Sequence, residues 1–167
     1  MPLNAPSDID ALAARLGAAL VARGWLCATA ESCTGGLVAG AITAIAGSSA
    51  WFDRGFVTYS NDAKIAMLAV PPATIAAHGA VSGATVQAMV AGALAASRAH
   101  VAVAVTGIAG PAGGTPSKPV GTVCFGWGAR DLPPHVVTHH LAGDRAAVRA
   151  ASVVIALEGL LGLALPP

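Results

Sequence analysis

The 167-residue sequence predicts an α/β protein, a three-layer α/β/α sandwich on a mixed sheet of about five strands. Three observations carry that expectation. Apolar runs of strand length alternate with stretches of helical periodicity, two strand-like runs then follow each other with no helix between them, and the length suits one core. Alternation calls for parallel strands joined by crossover helices, whereas an adjacent pair calls for antiparallel neighbours, so the sheet is mixed.

Taken in order, residues 8–23 carry apolar positions at helical spacing, with Ser7 or Asp8 as cap and Gly24 as stop. A short buried strand follows at 25–30, then the turn A-E-S-C-T-G-G and an apolar helix at 37–46 ended by Gly47. The second strand spans 52–60, and a helix starts at Asn61 or Asp62, carrying Lys64 inward or outward along one turn. Pro71 and Pro72 break the chain before a short helix at 73–78, and Ser82 caps a longer one through 97. The run V-A-V-A-V-T at 101–106 is the clearest strand and enters a glycine-rich loop at 107–118. Strands at 120–128 and 135–141, separated by Pro133 and Pro134, form a hairpin-like pair, and a helix at 144–163 closes the fold. Neither repeat nor linker interrupts the chain, so 1–167 reads as one domain with a core at about 8–163.

Composition narrows the function. Charged residues make up 10% of the chain and the net charge is +1, which leaves no basic field for nucleic acid and no polybasic patch for anionic lipid. The opening M-P-L-N-A-P-S-D-I-D lacks the basic and apolar regions of a signal peptide, so a cytoplasmic protein is expected. Uncharged runs at 33–52 and 99–117 are long enough for a membrane span. The first is rich in Gly, Ser and Thr, and the second is broken by Gly107, Gly110, Pro111, Gly113, Gly114 and Pro116, so buried elements are expected instead. Cys27, Cys33 and Cys124 have no metal-ligand spacing, and the neighbours His139 and His140 point to opposite faces of a strand; no metal or other cofactor is expected. High alanine content with few charges suggests a helix face buried in a homo-oligomer, a dimer being favoured.

Ligands of open α/β sheets sit beyond the carboxyl ends of strands. The polar stretches 31–36, 59–64 and 106–114 fall at three such ends. Ser32 is a candidate nucleophile, and with no histidine near these motifs its candidate base is Lys64, an amine that loses its proton readily when desolvated; a solvated helix lysine is the alternative. Cys33 competes as nucleophile, although adjacent side chains diverge and only one can face a pocket. Glu31 is open to two roles, orienting Lys64 or a substrate hydroxyl, or capping the following turn. Gly35 and Gly36 allow close backbone approach, and the helix-start amides after Thr34 are placed to receive a phosphate. Tyr59 is a candidate oxyanion donor, and Arg145, with Arg149 one turn later, a phosphate clamp or an exposed ion-pair partner.

Seven stretches carry a resemblance: T-A-E-S-C-T-G-G, A-G-S-S-A-W-F, G-F-V-T-Y-S-N-D-A-K, H-G-A-V-S, T-G-I-A-G-P-A-G-G, K-P-V-G-T-V and G-D-R-A-A-V-R. In this order, from about residue 8 to 160, they resemble the CinA C-terminal domain family. The resemblance implies hydrolysis of the carboxamide of nicotinamide mononucleotide to nicotinate mononucleotide and ammonia, in pyridine nucleotide recycling, without a cofactor. It implies Ser32 as nucleophile, Lys64 as general base and Tyr59 as a catalytic partner. The implied substrate-binding set is Glu31, Thr34, Gly35, Gly36, Ser48, Asn61, Thr106, Gly107, Gly110 and Arg145. A non-catalytic nucleotide-binding module is the competing reading.

Overall fold

The computed structural model describes residues 6–165. The sheet has five strands, β1 (Cys27–Glu31), β2 (Phe52–Val57), β3 (Val101–Gly107), β4 (Thr122–Ala129) and β5 (His135–His140), in the order β2-β1-β3-β4-β5. β2, β1 and β3 are parallel; β4 and β5 add on antiparallel as the expected hairpin. Among the described residues six α-helices accompany them: α1 (Pro6–Arg23), α2 (Leu37–Thr43), α3 (Asn61–Leu68), α4 (Pro72–His78), α5 (Gly83–Ala95) and α6 (Arg145–Ala164). The mixed α/β/α sandwich is the architecture expected from the pattern.

Strand alternation assigns each side chain to a layer. Val101, Val103 and Val105 of β3, with Val123, Phe125 and Trp127 of β4, face a core shared with α1, α2 and α6. Their neighbours Ala102, Ala104 and Cys124 face α5 and Leu68 of α3. Large residues on one face and small ones on the other set α5 close against the sheet. At Gly126 an added Cβ would lie 2.9 Å from Val90 Cγ2 of α5, so the strand has no room for a side chain there.

Caps and boundaries follow local chemistry. Ser82 accepts from the Thr85 amide at 3.1 Å, and Asp144 from the Ala147 amide at 2.9 Å, which fixes the starts of α5 and α6 as expected. Ser60 does the same for α3 through the Ala63 amide. At α1 the expectation is corrected: the helix already runs from Pro6, so Ser7 and Asp8 lie within its first turn. α2 also stops at Thr43, short of the expected 46, and a turn at 44–47 leads into a 3-10 turn at Ser48–Ala50.

Neither suspected uncharged run forms a span: 33–52 holds a turn, the short α2 and the 3-10 turn, while 99–117 holds β3 and the glycine-rich loop. The one described helix long and apolar enough to cross a membrane is α6, and its apolar face, including Val148, Leu157, Leu160 and Ala164, is buried in the core of this fold.

Candidate active site

The parallel strands β1, β2 and β3 end together, and the chain turns from each toward one cleft of about 210 Å³. Ser32 follows β1 directly, tied to β3 by its amide donating to Val105 O at 2.9 Å. Lys64 lies on the first turn of α3, whose Ser60 cap and short link to β2 roll the side chain inward. It is 1% exposed, and its Nζ donates to Ser32 Oγ at 3.0 Å and to Thr58 O at 2.9 Å. Burial lowers the pKa of this amine from the ordinary lysine value, against a smaller raising influence from Cys33. Among the described residues no carboxylate pairs with it. Desolvation therefore favours the neutral form, which can accept a proton.

Cys33 also borders the cleft, but it is 5% exposed and belongs to the core, and burial pushes its thiol up to about 11. At neutral pH it is a thiol, not a thiolate, which makes it the poorer nucleophile of the adjacent pair. Tyr59 rims the same cleft, 62% exposed, and its hydroxyl accepts from Arg145 Nη2 at 3.1 Å. The phenolic proton stays free to be donated. Arg145 Nη1 donates to Gly110 O at 3.0 Å, so Gly110 acts on the site through Arg145. Asn61, Thr106 and Gly107 line the cleft, and Thr106 Oγ1 donates to Ala80 O at 2.9 Å. A wider cleft of about 650 Å³, lined by Val120, Gly143, Asp144, Ala146 and Arg149, adjoins it across the shared wall of Ala109 and Arg145.

Three sequence expectations are corrected, and of the two roles left open for Glu31 the capping one holds. Glu31 is fully buried and faces neither Lys64 nor open space: its Oε1 accepts from the Val38 amide at 2.8 Å and its Oε2 from the Ala39 amide at 3.0 Å, so it caps α2. For the same reason the start of α2 is no phosphate site. The Leu37 and Gly40 amides bond to Thr34 O and Gly36 O, and those between them belong to Glu31. Thr34 is buried outside the cleft, while Gly35 and Gly36 serve the turn itself, with φ of +58° and +99° that favour glycine. Ser48 precedes β2, at the opposite end of the strands from Ser32; the length of β1, about 13 Å, separates the two ends.

Three residues of the cleft carry no sequence signal. The carbonyl of Thr58, which steadies Lys64, leaves no side-chain signature. Ala80 and Val81 form a wall of the cleft within the H-G-A-V-S stretch, as apolar residues with nothing to mark them. Arg149, a clamp or ion-pair candidate in the sequence, instead donates from Nε to Cys33 O at 3.1 Å and from Nη2 to Thr34 O at 3.2 Å. Among the described residues no group of three or more His, Cys, Asp or Glu side chains gathers in metal-binding proximity.

This geometry has relatives. The family model of the CinA C-terminal domain matches residues 9–164. The chain is 54% identical to the nicotinamide-nucleotide amidohydrolase PncC of Enterobacter agglomerans over 90% of its length and 92% of the relative's. It is 52% identical to the protein of that name in Escherichia coli strain K12, over 92% and 93% of the two chains. Among solved structures, the competence/damage inducible protein CihA of Agrobacterium tumefaciens superposes with a TM-score of 0.87 at 51% identity, covering 93% of this chain and 94% of that one. A competence damage-inducible protein A from Klebsiella pneumoniae gives 0.89 at 45% identity, covering 92% and 95%. With its motifs, its fold and nearly its whole length matched, the chain belongs to the CinA C-terminal domain family.

Proposed function

We propose that this protein is an amidohydrolase that converts nicotinamide mononucleotide to nicotinate mononucleotide and ammonia, with Ser32 as nucleophile and Lys64 as general base. The observation that carries the reading is the buried amine of Lys64, 3.0 Å from Ser32 Oγ and without an acidic partner among the described residues. The names borne by relatives at 52–54% identity supply the substrate.

In the first half-reaction Lys64 takes the Ser32 hydroxyl proton as Oγ attacks the carboxamide carbon. Charge gathers on the carboxamide oxygen, where Tyr59 and the amides of Cys33 and Thr34 are the available donors; among the described residues those two amides have no protein acceptor. Lys64 then returns its proton to the departing nitrogen and ammonia leaves an ester on Ser32. A water, deprotonated by the same amine, attacks that ester; its proton goes back to Ser32 Oγ and the carboxylate product is released. The small inner cleft suits the carboxamide and part of the ring. Ribose and phosphate extend into the wider cleft, toward the Arg145 guanidinium and the start of α6, whose Arg145 and Ala146 amides lack protein acceptors among the described residues. Recycling of pyridine nucleotides and a homodimeric assembly belong to the same proposal.

The test is ammonia release from nicotinamide mononucleotide by purified protein, with and without a chelator. Release should survive chelation, vanish in Ser32→Ala and Lys64→Ala, and persist substantially in Cys33→Ala. Loss in Cys33→Ala with retention in Ser32→Ala would reassign the nucleophile. Tight binding without release would make the protein a nucleotide-binding module.

A further inference from the structure

The segment that presents Ser32 has little of its own to hold it. Two consecutive glycines with positive φ follow it, and the Thr34 hydroxyl is buried without a partner, so that side chain anchors nothing. Within the turn, Gly35 N donates to Ser32 O at 3.0 Å and Leu37 N to Thr34 O at 3.1 Å. Ser32 itself is tied to β3 through Val105 O, but the carbonyls of the turn beyond it have one grip from another element. From α6, more than a hundred residues away in sequence, the half-buried Arg149 spans two successive carbonyls of the turn, those of Cys33 and Thr34.

We propose that Arg149 is a positioning residue for the nucleophile, holding the 32–35 backbone in the arrangement that sets Ser32 against Lys64. The planar guanidinium is pre-organised for this: its donors lie in a fixed fork, so bridging two carbonyls fixes their spacing and their direction together. Each trans peptide carries its N–H opposite its C=O. Pinning Cys33 O therefore also aims the Thr34 N–H, one of the two unpaired amides next to Ser32, and pinning Thr34 O aims the Gly35 N–H that closes the turn onto Ser32 O. α6 thus carries two arginines one turn apart with different duties, Arg145 at the cleft wall and Arg149 on the turn.

The kinetic part of this inference rests on the amidase reading, whereas the structural part rests on geometry alone, and the experiment separates them. Arg149→Met and Arg149→Lys are compared with wild type for kcat and KM in ammonia release, and for backbone hydrogen exchange in the 32–36 segment. In Arg149→Met, kcat should fall by roughly ten- to a hundredfold, the loss that misplacing a reacting group brings, with KM changed less than about twofold. Exchange at 32–36 should rise while β3 stays protected, and added methylguanidinium should restore part of kcat. Arg149→Lys keeps the charge without the fork and should recover little. A raised KM with kcat intact would make Arg149 a substrate contact and overturn the proposal, as would full activity in Arg149→Lys. If wild type releases no ammonia the amidase reading falls, and exchange still decides: unaltered exchange at 32–36 in Arg149→Met overturns the positioning role.

Discussion

Replacing Glu31 by glutamine separates the two roles its sequence position allowed. The carboxylate is fully buried and takes the Val38 and Ala39 amides at 2.8 and 3.0 Å, with Thr29 Oγ1 at 3.3 Å. Glutamine keeps one oxygen and turns an NH₂ group toward the other amide, so one bond is lost, one buried N–H is left unsatisfied, and the remaining bond is no longer charge-assisted. Hydrogen bonds to charged groups contribute about 1.5–3 kcal/mol and an orphaned buried donor costs about 1–3 kcal/mol, which together place the loss at about 2.5–6 kcal/mol. For a chain of this size each kcal/mol moves Tm by about 2–4 °C, so Glu31→Gln should melt roughly 5–24 °C lower. Urea and thermal unfolding measure this, and ammonia release well below the transition should show KM for nicotinamide mononucleotide essentially unchanged. A variant within about 0.5 kcal/mol of wild type that has a raised KM would refute the capping argument and return Glu31 to the substrate.

The lowered pKa of Lys64 gives stability a pH dependence of known sign. Between its native value and the ordinary 10.5 the unfolded chain binds a proton that the native state does not, so stability rises with pH by up to about 1.4 kcal/mol per unit and falls as pH drops toward the native value. Lys64→Met should lose that slope in urea unfolding across this window, and parallel curves for the two proteins would contradict it. Alkylating reagents should leave Cys33 largely unmodified and activity intact at neutral pH, since its thiol titrates near 11; rapid inactivation traced to Cys33 by mass spectrometry would count against the assignment. Gly126→Ala forces a Cβ to within 2.9 Å of Val90 and should cost about 1–3 kcal/mol, whereas Gly162→Ala, on α6 with nothing within 4 Å, should gain about 0.5–1 kcal/mol. Opposite shifts in Tm check the pair.

The sequence by itself determined the layers and the ends of the strands. Alternating V-A-V-A-V-T, the Ser82 cap and the paired final strands are local or short-period signals, and each maps onto the element it foretold, with boundaries displaced by a few residues. Ser32 and Lys64 were legible because both chemistries sit just past strand ends, where parallel topology brings separate loops together. Only tertiary structure decided which polar groups remain free. Glu31 and the first amides of α2 satisfy one another, Arg149 turns to the backbone of the turn that follows Ser32, and Ser48 lies at the far end of the sheet. The physical reason is that a buried donor or acceptor must find a partner, and that partner is set by where elements distant in sequence pack.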